Sequence, residues 1–226
     1  MARKKQKKVR IKAEKRERKQ RIFAYIGRFV FLVCLLLGAR WFVEMIREPR
    51  QAHLEDIIVP EWIEQDFIRE NPYSRPGTEL KRVNSIVIHY VANPETTADN
   101  NRDFFDGLAD QKGSDKETVS SHFIVGLDGE ILQCIPLEEI AYTSNHRNGD
   151  TISIECCHPD WSGEFTDATY DSVVELTAWL CQELNLNEEQ VIRHYDITGK
   201  LCPKYFVVNE DAWLQFKNDV KEVLSR

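Results

Sequence analysis

The 226-residue sequence contains no internal repeat and, beyond its first 21 residues, no low-complexity run. One domain of ordinary size plus an appendage is the organisation this allows. Cysteine is sparse. Cys134, Cys156, Cys157 and Cys181 show no framework spacing, which argues against a disulfide-stapled scaffold and for buried free thiols. The body also lacks positive charge. Of the 30 Lys and Arg, 12 fall in residues 1–21 against only Glu14 and Glu17, a local balance of +10, so the total of −7 leaves −17 for residues 22–226. The basic stretch has almost no apolar residues to fold around, which excludes a nucleic-acid-binding globule and reads as a disordered cytoplasmic tail. A long clean apolar run is missing as well: the uninterrupted one, Phe29 to Ala39, is too short to span a bilayer alone.

That run reaches about 18 residues if Arg28 snorkels to the headgroups, enough for a crossing. Residues 22–46 are therefore expected to form one transmembrane anchor. The Lys and Arg excess before it places residues 1–21 in the cytoplasm and the body outside, a single-pass protein of the cell membrane. A cleaved signal peptide is the rival, supported only by the weak cleavage site at Leu37, Gly38 and Ala39. Either way the body is exported. Residues 47–60 read as a linker and residues 61–226 as the folded domain.

Within that domain the spacing of Trp62, Ile63, Phe67 and Ile68 predicts a short amphipathic helix over Glu61 to Glu70. A turn-rich loop follows from Asn71 to Gly77. Ser85 to Tyr90 reads as a buried strand and Ala98 to Ala109 as a helix. Ser121 to Val125 and Glu130 to Ile135 flank a hairpin turn marked by Asp128-Gly129. Thr151 to Cys157 is another strand. Thr166 caps a long helix to Leu184 whose inner face is Val173, Leu176, Leu180 and Leu184. A short strand, Val191 to His194, and an amphipathic helix, Asp211 to Leu224, complete an α/β domain with a central mixed sheet flanked by helices.

His89 and His194 each end an apolar strand, and Cys202 follows His194 after a loop long enough to fold back beside it. Two neutral imidazoles and a thiolate would give a tetrahedral zinc three ligands and leave a fourth position for water. Taken singly, each residue is equally compatible with a packed or solvent-facing role, and the spacing alone leaves both readings open.

The segments Ile86-Val87-Ile88-His89-Tyr90, Ser121-His122-Phe123-Ile124-Val125 with Asp128-Gly129, Ile152-Ser153-Ile154-Glu155, and Arg193-His194-Tyr195-Asp196-Ile197-Thr198-Gly199-Lys200-Leu201-Cys202-Pro203 are a different kind of signal. In that order they resemble the type 2 N-acetylmuramoyl-L-alanine amidases, relatives of phage lysozyme-amidases and peptidoglycan recognition proteins. The similarity covers roughly residues 61–216, and its last segment is the most specific. It implies that His89, His194 and Cys202 bind Zn2+, that Lys200 holds a developing oxyanion, and that Glu155 is the general base. The implied reaction is hydrolysis of the amide bond between N-acetylmuramic acid and L-alanine in peptidoglycan.

The chain departs from the pattern in two places. Ser121 stands where some phage relatives carry a catalytic tyrosine. Ala141-Tyr142-Thr143 lacks the histidine of a Trp-His pair, for which His146 is a weak substitute, being expected in solvent. His122 is expected to be a supporting or packing residue, and Asp196 to order the metal loop. Arg75 is either a contact for a stem-peptide carboxylate or a structural turn residue. His53 and His158 receive no role. Two other functions remain to be weighed: a wall-binding module without catalysis, against which Cys202, Lys200 and Glu155 stand together, and a thiol hydrolase pairing Cys134 or Cys156 with His194.

Overall fold

In a computed structural model the described residues are 53–226, together with the isolated helical positions Tyr25, Phe31, Val33, Cys34, Leu35 and Gly38. The basic leader and most of the expected anchor, residues 22–46, lie outside the described residues. Among those described, no helix is long and apolar enough to cross a membrane.

The folded domain is built on a six-stranded sheet. Its strands are β1 (Glu64–Gln65), β2 (Ser85–Tyr90), β3 (Phe123–Val125), β4 (Ile131–Gln133), β5 (Thr151–Cys156) and β6 (Val191–Arg193), in the spatial order β1-β4-β3-β5-β2-β6. β3, β5, β2 and β6 run parallel to one another, and β4 returns antiparallel to β3. The mixed sheet expected from the sequence is thus present. Its parallel centre explains why β2 and β5 read as continuous apolar runs rather than strict alternation: both of their faces are covered.

One face packs Ile86, Ile88, Phe123, Val125, Ile152 and Ile154 against helix α2 (Asp167–Leu184) and helix α5 (Glu210–Leu224), through residues including Leu176, Leu180, Phe216 and Val220. The opposite face carries a smaller cluster in which Ile124 and Leu132 meet Ala98 and Phe105 of helix α1 (Ala98–Gly107). Thr97 and Thr166 cap α1 and α2, each accepting from the backbone N–H three residues on. The β3–β4 turn is fixed onto the N-terminal end of α2: Thr166, Thr169 and Ser172 donate to the carbonyls of Leu127, Gly126 and Gly129. Gly129 has φ +87°, and a Cβ there would lie 2.9 Å from the Ala168 carbonyl oxygen, so no other residue fits without movement.

Two expectations need correction. Glu61 to Glu70 is not a helix. Ile63 and Ile68 do turn inward, but the backbone is extended: β1 pairs with β4, and the N–H groups of Asp66 and Ile68 donate to the carbonyls of Gln133 and Cys134. The edge of the hairpin offers those carbonyls, and satisfying them outweighs a four-residue helical pattern. The described part of the expected linker is also partly packed. Leu54 lies in a short 3-10 turn, Leu54–Asp56, and is buried in the main core.

Candidate metal centre

Strand register assembles the site. His89 of β2 and Glu155 of β5 are Cα partners, and Ile124 of β3 partners Glu155 on its other side. Ile88 partners Arg193, so the next residue, His194, enters the same row. Because directly paired residues point to one face, Glu155, His89 and His194 stand side by side at the carboxyl ends of three parallel strands, where α/β sheets place their ligands. His89 lies one residue before the end of an interior strand. His194 is the first residue of a short helix, α3 (His194–Thr198), rather than the last of a strand.

Helix α3 fills what the sequence presents as a loop. Gly199 ends it at φ +76°, and the chain returns so that the Tyr195 N–H donates to the Cys202 carbonyl. The first turn is held by Asp196, which accepts from the Arg193 backbone N–H at 2.8 Å and pairs with its guanidinium at 2.9 Å. Arg193 also reaches Glu210 of α5 and the carbonyl of Phe206 in helix α4 (Lys204–Val208). Asp196 therefore orders the segment, as expected, and stays out of the ligand set.

His89, His194 and Cys202 are all buried, and each offers one atom within 4.8 Å of the others. The imidazole centroids are 4.7 Å apart. Cys202 Sγ lies 3.7 Å from His89 Nδ1, while His194 Nδ1 has no hydrogen-bond partner although buried. Two ligands of one tetrahedral zinc, with bonds of about 2.3 Å to sulfur and 2.0–2.1 Å to nitrogen, stand about 3.6 Å apart. The donor set and its spacing fit that metal.

The electrostatics of the metal-free protein agree. Burial holds His89 well below the usual imidazole range and lowers His194, so both rings are neutral; the Lys200 charge pushes each further down. Burial drives the Cys202 thiol upward, and nearby Glu155 adds to this. Glu155 is itself raised to about 8 by burial, with Lys200 pulling the other way, and its Oε2 has no partner. An acid, a thiol and two imidazoles are thus buried with their charge suppressed, an arrangement that a central cation would reverse for the thiol and acid. Lys200 is exposed, yet its charge acts on all four of these groups.

The remaining candidates fall outside the cluster. His122 is buried, accepts at Nδ1 from the Ser153 N–H, and therefore donates from Nε2 to the Glu139 carbonyl. With its ionisation lowered to about 4 by burial, it is a neutral tie between β3, β5 and the Glu139 turn. Ser121 bonds Ser153 in the same network. Arg75 has the structural role that was one of its two readings: it pairs with Glu139 at 2.7 Å and donates to the Ile68 carbonyl. His146 is exposed, as expected. Cys156 points into the α2 side of the sheet, away from His194, and Cys134 lies in the smaller core, both with thiols pushed far up. Neither can serve as a nucleophile with His194. Asn145 was missed by sequence reasoning: its Oδ1 lies 2.7 Å from His194 Nε2.

A helix-flanked, largely parallel sheet thus gathers two imidazoles and a thiol that could hold a metal ion, with a buried carboxyl beside them. The chain belongs to the N-acetylmuramoyl-L-alanine amidase family, Amidase_2, whose model matches residues 79–205. It is 31% identical over 172 residues to N-acetylmuramoyl-L-alanine amidase CwlL of Bacillus licheniformis, covering 71% of this chain and 47% of that protein. It is 32% identical over 180 residues to BlyA of Bacillus subtilis strain 168, covering 70% and 47%. The chain thus spans about half the length of these curated relatives. Among solved structures, a mutant endolysin from Bacillus subtilis superposes with a TM-score of 0.59 at 28% identity, covering 72% of this chain and 99% of that one.

Proposed function

We propose that this protein is a zinc-dependent amidase that hydrolyses the bond between N-acetylmuramic acid and L-alanine in peptidoglycan. The observation that carries the reading is the register that sets Glu155 beside a buried His89, His194 and Cys202. Those three residues would hold Zn2+, which would supply Lewis acidity and make water acidic enough to attack near neutral pH. Glu155 takes the proton from the attacking water and returns it to the departing amide nitrogen, so that the C–N bond breaks with protons balanced. Lys200 places its ammonium where negative charge grows on the carbonyl oxygen. Burial of the row excludes bulk water and strengthens both effects.

Loss of the soft ligand is the direct test. Cys202→Ser replaces a thiolate with a neutral hydroxyl, and metal analysis of the full chain should fall from one zinc per chain to well below that. Equal zinc content in variant and parent would remove Cys202 from the ligand set.

We further propose that residues 22–46 anchor the chain in the cytoplasmic membrane, with residues 1–21 inside and the amidase domain facing the wall. The support is the +10 leader next to an apolar segment. Protease added to intact spheroplasts should degrade the domain and spare a short N-terminal fragment; a domain protected until lysis would contradict this topology.

A further inference from the structure

We propose that Asn145 is a positioning residue for the metal ligand His194. The inference rests on the zinc reading above. In a neutral imidazole only one nitrogen carries a proton, and the other has the lone pair a metal needs. His194 Nε2 is 2.7 Å from Asn145 Oδ1, an acceptor, so Nε2 holds the proton and donates it. Nδ1 is thereby left as a lone pair, and Nδ1 is the buried atom of this ring that has no other partner. Asn145 selects the tautomer and fixes the ring plane, and the amide oxygen makes the imidazole a better donor to a cation.

The loop is built to hold that amide in place. Asn145 begins a 3-10 turn, Asn145–Asp150, with φ +54°, a left-handed conformation that Asn, Asp and Gly tolerate and β-branched or bulky residues do not. Asn148 folds back to accept from the N–H groups of Thr143 and Ser144 at 3.2 and 2.6 Å, and the Arg147 N–H donates to the Ser144 carbonyl. Ser144 is buried, and Thr143 is tied through its hydroxyl to Ser153 of β5. The loop that bears Asn145 is therefore tied through Thr143 to the strand that carries Glu155, while Asn145 itself touches the ligand that follows β6.

The test separates the side chain from the backbone. Asn145→Gly keeps the left-handed φ and removes the acceptor; Asn145→Asp keeps both the φ tolerance and an acceptor oxygen. Zinc affinity of the full chain is measured by competition with a chromophoric chelator, alongside the thermal midpoint of the metal-free protein. Asn145→Gly should bind zinc about 10–100-fold more weakly, with the metal-free midpoint near that of the parent, and Asn145→Asp should restore parental affinity or exceed it. Parental affinity in Asn145→Gly, or equal weakening in both variants, would overturn the role of the acceptor. Failure of the parent itself to bind zinc would instead overturn the metal reading.

Discussion

Glu155 is an acid whose proton is held in the metal-free protein by burial, with a folded value of about 8 against an ordinary carboxylate value of 4.5. The folded state then binds a proton that the unfolded chain has released, so this group's contribution to stability is fully present below about pH 4.5 and is lost as pH rises through about 8. Glu155→Gln should therefore leave the metal-free protein's thermal midpoint near the parent's at pH 4.5 and raise it at pH 8, on the order of 5 °C. In the zinc-loaded enzyme the same variant should retain its metal and lose about two to four orders of magnitude in turnover. A Glu155→Gln enzyme with near-parental turnover would move the base role elsewhere. The grouping of His89, His194 and Cys202 with Glu155 was legible in the sequence because these residues sit in short segments of distinctive order. Asn145 was not, because nothing in Ser144-Asn145-His146 marks which side chain meets His194 across 49 residues. Arg75 was ambiguous for the same reason: its partner Glu139 is 64 positions away.

The elements that carry the site differ in how plainly the chain announces them. β2, β5 and α2 are long enough for their apolar pattern and caps to decide them, and they appear within a residue or so of the expected bounds. Helices α3 and α4 have five residues each, too few to show a helical period; most of α3 was read as loop and α4 received no assignment. The segment from Glu61 to Glu70 had a pattern, and the free carbonyls of β4 overrode it. Helix α3 depends on Arg193, whose buried guanidinium joins β6, Asp196, Phe206 and Glu210. Arg193→Met would leave the Phe206 carbonyl and the Asp196 carboxylate without that donor. Chemical denaturation should show a loss on the order of 2–3 kcal/mol; a loss below about 0.5 kcal/mol would mean that α3 is held by other contacts.

At the scale of the whole molecule, four parallel strands deliver their carboxyl ends to one place, and the site sits on the sheet face away from α2 and α5. The topology of the sheet was legible only as a class, because strand order depends on contacts far apart in sequence. The central claim concerns a bond rather than a fold. It is tested most directly by mass spectrometry of purified peptidoglycan after incubation with the full chain, with and without a chelator and with zinc restored. The account predicts free stem peptides beginning at L-alanine and glycan strands bearing intact lactyl groups, formed with zinc and absent under chelation. Cleavage between amino acids of the stem, cleavage of the glycan, or release that a chelator leaves unchanged would contradict it.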